Sequence, residues 1–132
     1  MTDLDDTIGW RKLREFADVD LNRSFILSWC FEARVLLVDV DLYLEPDHPF
    51  YEKPRPAEKV CIRPAIIEFP HCESMSLNGE EAQDSLAEFV TTLGAGVIED
   101  LCRFNEGPYE IRGGFGVVKI DSERPVLRLR RP

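Results

Sequence analysis

The stretch that decides the fold is residues 24–44, SFILSWCFEARVLLVDVDLYL, in which the residue pattern has a period of two. Successive side chains of a β-strand point to opposite faces, so this spacing predicts strands rather than helix. The β-branched and aromatic residues along it favour strands as well. In the second half, Asp39 and Asp41 share one face, and the other face is wholly apolar: Leu36, Val38, Val40, Leu42 and Leu44.

The two halves of this stretch are predicted to pair as an antiparallel hairpin. Glu32, Ala33 and Arg34 lie between them and are few enough to form its turn, although the turn lacks Gly or Asn. In the first half, strict alternation predicts one face made of Phe25, Leu27, Trp29 and Phe31, opposite Ile26, Ser28 and Cys30.

The remaining chain predicts further strands and one main helix. Strand patterns recur in KVCIRPAIIEF (59–69), VIEDLCRF (97–104), PYEIRGGFGVVKI (108–120) and PVLRLRR (125–131), with turn signals between the last three. In GEEAQDSLAEFVTTL an apolar stripe at helical spacing predicts a helix near residues 80–93, with Asn78 as its cap. A short helix is also predicted over residues 8–16. The expected fold is α+β and mainly β: an antiparallel sheet of about six to seven strands, sandwich-like or a flattened barrel, with one main helix.

Bulk properties predict a single domain, because the chain has 132 residues and no linker or repeat divides it; residues 1–7 are expected to be frayed. No apolar run approaches the roughly 18 residues that span a membrane, and the acidic N-terminus does not resemble a secretory signal, so we expect a cytoplasmic protein without membrane contact. Four cysteines without a CxxC pair indicate neither structural zinc nor disulfides.

The net charge of the chain indicates which classes of binding partner to expect. The chain carries −9, and residues 108–132 alone have a surplus of bases. Binding to a nucleic-acid backbone needs surplus Lys and Arg, so nucleic acid is not expected as a partner. An acidic surface is compatible with a basic protein partner, and the oligomeric state stays open.

Five polar residues around the end of the second strand form the first candidate site: Asp39, Asp41, Glu45, Asp47 and His48. Carboxylates and a histidine at this density could hold Mg²⁺, Mn²⁺ or Ca²⁺, or form a proton-transfer pair. The alternative is an exposed strand face that continues into a solvated loop. No cofactor is expected, and a divalent metal is the one possibility.

The loop EPDHPFYEKPRPAE (45–58) is the second candidate, because its prolines make it stiff and it carries Phe50 and Tyr51. Rigid, exposed aromatic side chains are good interface anchors. The alternative is that both rings fold back over the open end of the sheet.

Three weaker motifs are each expected to be structural. His71 and Cys72 are adjacent on an extended segment and therefore point apart, which disfavours a Cys–His nucleophile. RGGFG (112–116) lacks the spacing of a phosphate-binding loop and favours a bulge or tight turn. The basic cluster LRLRRP (127–132) favours an edge strand or pairing with neighbouring acids.

Three functions are compatible with these patterns. The first is a non-catalytic interaction or binding module that uses Asp39, Asp41, His48, Phe50 and Tyr51. The second is a small-ligand carrier with a curved sheet. The third is a metal-assisted hydrolase or isomerase that uses Asp39, Asp41 and His48, so whether the protein is an enzyme stays open.

Overall fold

The computed structural model describes residues 7–54, 56, 60–83, 85–104 and 107–129. Within these, ten strands form one antiparallel sheet in the order β10-β4-β3-β2-β7-β8-β9-β5-β6, with β1 also paired to β7. The strands are β1 Thr7–Gly9, β2 Val19–Glu32, β3 Val35–Leu44, β4 Cys61–Phe69, β5 Ser74–Leu77, β6 Glu80–Glu81, β7 Gly96–Phe104, β8 Tyr109–Gly113, β9 Gly116–Asp121 and β10 Val126–Leu129. One α-helix, α1, spans Leu86–Phe89.

The predicted hairpin of β2 and β3 is confirmed. Glu32 pairs with Val35 across a two-residue turn, in which Ala33 and Arg34 have φ of 52° and 67°. A turn of this kind needs left-handed backbone at both positions, which matches the twist of the flanking strands even without Gly or Asn. Along β3 the alternation is also confirmed, because all five residues of its apolar face are buried: Leu36, Val38, Val40, Leu42 and Leu44.

The predicted faces of β2 are wrong, because register shifts interrupt its pairing with β3. They lie between Asp20 and Phe25 and between Ile26 and Ser28. An extra residue at such a bulge moves the following side chains to the other face of the sheet. Ile26 and Trp29 are therefore both buried, whereas Phe25 and Leu27 are 40% and 48% exposed.

The sheet curls so that its two halves face each other. β2 pairs with β7 at only two positions, Phe25 with Val97 and Ile26 with Gly96, and this short contact joins the halves. The rings of Phe69 on β4 and Tyr109 on β8 meet edge to face at 5.7 Å, although β3, β2 and β7 lie between those strands along the sheet. A single buried core fills the space between the halves.

This architecture confirms the mainly β, α+β class and the antiparallel sheet, and it corrects two details. The sheet has ten strands rather than six to seven, because short edge strands such as β1 and β6 were not expected. It is also not a flattened barrel, since the end strands β10 and β6 are not paired with each other within the described residues.

The helix predicted near residues 80–93 is wrong in extent. Glu80–Glu81 is the strand β6, paired with β5 across a turn at Asn78 and Gly79, whose φ angles are 53° and 87°. The α-helix begins only after Ser85, whose Oγ accepts a hydrogen bond from the Glu88 amide at 3.2 Å, and a 3₁₀ turn, Val90–Thr92, follows it. The cap is thus Ser85 rather than Asn78.

The N-terminal segment also differs from the prediction. A strand and two 3₁₀ turns, Trp10–Lys12 and Arg14–Phe16, replace the helix predicted over 8–16. Fraying was expected for residues 1–7; Thr7 pairs with Phe104, and residues 1–6 lie outside the described part. No helix in the described ranges has the length and apolar character that crossing a membrane requires.

Candidate functional site

Asp39 and Asp41 lie on the outward face of β3, half-buried between neighbouring strands. Asp41 stands between Phe25 on β2 and Pro64 on β4, and Asp39 stands opposite Ile66 on β4. On the β2 side, the hydroxyl of Ser28 donates a hydrogen bond to Asp39 Oδ2 at 3.1 Å. The two carboxylates are therefore set among mostly apolar neighbours on an open sheet face.

Large apolar side chains are exposed on the strands around these carboxylates. Phe25 and Val97 are direct cross-strand partners and are 40% and 48% exposed. We use the term outer apolar face for these residues together with Asp39, Asp41 and the other exposed apolar side chains on β2, β4 and β10, which are Leu27, Ile62 and Val126. Monomeric proteins seldom expose large contiguous apolar patches, and such patches commonly mark interaction sites.

His48 is held within its own loop rather than turned to the two aspartates. Its Nδ1 accepts a hydrogen bond from the Phe50 amide at 3.0 Å, and its ring lies 6.0 Å from the Phe50 ring. Burial lowers the pKa of His48 below its ordinary value, and the nearby Asp18 carboxylate offsets part of this. A lowered pKa keeps the imidazole neutral at pH 7.

The two aromatic residues of the proline loop have different roles. Tyr51 is half-buried and packs against the core, as the fold-back alternative expects for this ring. Phe50 is 55% exposed and is available to a partner. The loop is also tied to β4, where Arg63 Nη2 lies 2.9 Å from Glu52 Oε2.

The predicted metal ligands do not form a compact group. Glu45 and Asp47 are exposed in the turn that follows β3. Within the described residues, no three His, Cys, Asp or Glu side chains are close enough together to hold a metal ion. The metal site on Asp39, Asp41, Glu45, Asp47 and His48 thus gains no support and stays a prediction.

Cys72 and His71 point apart, although the segment is not extended as the sequence predicts, because His71 has a φ of 50°. His71 Nε2 is directed outward and lies 3.9 Å from Glu123 Oε2, whereas Cys72 is buried and its thiol donates to the Ser74 carbonyl at 3.8 Å. Burial raises the pKa of the Cys72 thiol to about 11, and the Asp121 carboxylate acts in the same direction. A thiol with this pKa is protonated at pH 7 and is a poor nucleophile.

The raised pKa of Cys72 predicts a loss of stability in alkali. The folded state holds the thiol proton up to about pH 11, whereas the unfolded chain releases it near pH 9.0. Stability from this group is complete below pH 9 and falls as pH rises, by about 2–3 kcal/mol at most. Urea unfolding at pH 8 and pH 10.5 measures the loss. A Cys72→Ala variant should lose less free energy of unfolding between pH 8 and pH 10.5 than the parent does. Some loss should remain, because burial also raises the pKa of Cys102 to about 11. Equal losses in the two proteins would contradict the assignment to Cys72.

The two remaining motifs are structural. Gly113 pairs with Gly116 across the turn Gly114–Phe115, so RGGFG is the tight turn that joins β8 to β9. Arg112 forms a salt bridge with Glu110, in which Arg112 Nε lies 2.8 Å from Glu110 Oε1. In the basic cluster, Arg128 pairs with Glu68 at 2.7 Å, while residues 130–132 lie outside the described part.

Sequence reasoning missed much of the outer apolar face. Ile62, Val97 and Val126 lie on three separate strands, and only the register of the sheet places them on the same face as Asp39 and Asp41. Phe25 and Leu27 were assigned to the face that contains Trp29, because a bulge leaves no clear mark in an alternating sequence.

No protein-family model, curated protein or solved structure matches the chain.

Proposed function

We propose that the protein is a non-catalytic interaction module whose outer apolar face docks a basic protein partner. The observation that carries this proposal is the arrangement of exposed Phe25, Leu27 and Val97 beside the paired carboxylates Asp39 and Asp41. Interfaces combine apolar anchors, which supply affinity, with charges that select and orient the partner.

The charged and apolar side chains of this face indicate which side chains a partner would need. Lys or Arg side chains would meet Asp39 and Asp41, and apolar side chains would cover Phe25 and Ile62. A net charge of −9 would attract a basic protein over a distance and would repel a phosphate backbone. We place the encounter in the cytoplasm, where the four cysteines, all free, would stay reduced.

Reversing the two charges should abolish partner capture. In the Asp39→Lys/Asp41→Lys variant two positive charges replace two negative ones on the same face, and like charges across an interface cost several kcal/mol. We expect at least about a hundredfold weaker binding. The measurement is a pull-down from a lysate under reducing conditions, quantified by mass spectrometry and followed by calorimetry with the protein captured most strongly by the parent.

A matched control separates this effect from net charge. Glu73→Lys/Glu88→Lys changes the charge by the same amount at two exposed positions outside the outer apolar face. It should capture the same partner as the parent. If both double variants lose the partner equally, the attraction is a property of total charge and the docking face is wrong.

The proline loop supplies a second test of the extent of the interface. Phe50→Ala removes the one aromatic side chain of this loop that is largely exposed within the described residues, while Tyr51 continues to cover the core. A loss of affinity in this variant would extend the interface from the outer apolar face to the loop. Unchanged affinity would confine the interface to the strands.

A further inference from the structure

A row of polar side chains crosses the outward face of the other half of the sheet. Glu110 on β8 is opposite Lys119 on β9, Lys119 is opposite Ser76 on β5, and Ser76 is opposite Glu81 on β6. Neighbouring strands are about 4.8 Å apart, so the row spans roughly 14 Å. Along the row, Glu110 is negative, Lys119 is positive, Ser76 is neutral and Glu81 is negative.

Two adjoining depressions lie over this row and form one groove. Their volumes are about 170 Å³ and 250 Å³, and Ser76, Glu81 and Lys119 line both. Asp121 and Ser74 border one end, and Gly79 and Val117 border the other. Each depression by itself is smaller than the roughly 300 Å³ of a site for a drug-sized ligand, so a ligand held in either one must be a small molecule.

Glu110 is neutralised by Arg112, whereas Lys119, Glu81 and Asp121 form no salt bridge with any of the described residues. The Glu110 side chain is only 9% exposed, and Arg112 Nε at 2.8 Å from its Oε1 fixes its position. The Lys119 ammonium lies 5.2 Å from the centre of the Phe104 ring. No carboxylate of the described residues forms a salt bridge with Lys119, although three line the same groove.

From this arrangement we infer that the groove binds a small zwitterionic molecule, one that carries an ammonium group and a carboxylate, as a free amino acid does. The carboxylate would accept hydrogen bonds from Lys119 and Ser76, and the ammonium would lie against Glu81 and Asp121. A simple anion could pair with Lys119 but would meet the unpaired carboxylates of Glu81 and Asp121, and a simple cation could pair with these carboxylates but would leave Lys119 without a counter-charge. This site is separate from the outer apolar face and does not depend on the partner proposed for it.

Titration of the ¹⁵N-labelled protein with L-glutamine and with glycine, followed by amide chemical shifts, tests the inference. Two analogues each remove one charge: L-glutaminamide lacks the carboxylate, and N-acetyl-L-glutamine lacks the ammonium. We expect shifts centred on Ser76, Glu81 and Lys119, with a Kd on the order of 1 mM for at least one zwitterion. Each analogue should bind at least about fivefold more weakly than L-glutamine.

Variants assign the charges to residues. Lys119→Met should weaken binding of the zwitterion at least about fivefold and leave L-glutaminamide binding no weaker. Lys12→Met, which removes an exposed cation outside the groove, should bind as the parent does. Thermal melting confirms that each variant is folded. The inference is overturned if neither zwitterion shifts the groove amides at a ligand concentration about 50-fold above the expected Kd of about 1 mM. It is also overturned if both analogues bind as well as L-glutamine.

Discussion

Replacing Trp29 by alanine is expected to lower the free energy of unfolding by about 4 kcal/mol. Trp29 is 8% exposed, and its indole N–H donates a hydrogen bond to the Gly94 carbonyl at 2.8 Å. Its ring meets Phe115 edge to face at 5.5 Å. One side chain of β2 therefore secures both the segment that follows α1 and the turn between β8 and β9. Urea unfolding monitored by far-UV circular dichroism measures the change.

Trp29→Phe separates packing from the hydrogen bond. This variant keeps an aromatic ring beside Phe115 but leaves the Gly94 carbonyl without its donor, so we expect a loss of about 1–2 kcal/mol. If Trp29→Ala costs no more than Trp29→Phe, the indole is held by its hydrogen bond alone and the packing argument fails.

Replacing Gly113 by alanine is expected to cost about 3 kcal/mol, because the position has no space for a side chain. An added Cβ would lie 2.5 Å from the Val97 carbonyl oxygen and 2.5 Å from Phe115 Cε2. The first of these is backbone of the neighbouring strand, which cannot move without disturbing the pairing of β7 with β8. The shift in the urea midpoint measures the cost.

Gly114 offers a control one residue away. A Cβ at Gly114 would meet no atom within 4 Å, so Gly114→Ala should change stability by no more than about 0.5 kcal/mol. Equal effects of the two substitutions would point to chain flexibility at both glycines rather than to a clash at Gly113.

Sequence reasoning succeeded where one face of a strand is fully buried and its period is unbroken. β3 pairs with β4 without a register shift, and the extra residues in its pairing with β2 all belong to β2, so the buried residues of β3 follow the alternation from Leu36 to Leu44. Its hairpin with β2 followed from the short gap between two strand patterns. These elements needed only local information, because burial of one face fixes the register.

Two failures have identifiable causes. The faces of β2 depended on bulges, which arise from pairing with other strands and are not marked in the sequence. The helix predicted near residues 80–93 was too long because the prediction relied on the apolar stripe. Asn78-Gly79, which is a strong signal for a two-residue hairpin turn, was given too little weight. Weighing that pair above helical periodicity would have assigned Glu80–Glu81 to a strand.

The candidate site was predictable only in part. The sequence places Asp39 and Asp41 on one strand face, and the structure bears this out. The exposed apolar side chains on the same face come from positions as distant in sequence as Phe25, Val97 and Val126. The row from Glu110 to Glu81 likewise depends on four strands being in register, which no local pattern determines.

The order of strands in the sheet has a consequence for the making of this protein. β2, β3 and β4 leave the ribosome before β7, β8 and β9, and their inner face, with Leu36, Val38 and Leu42, shares one buried core with those later strands. Pairings this distant in sequence form slowly. The apolar inner face of β2, β3 and β4 therefore stays exposed in the nascent chain until β7, β8 and β9 have been synthesised, and an exposed apolar face favours aggregation during that interval.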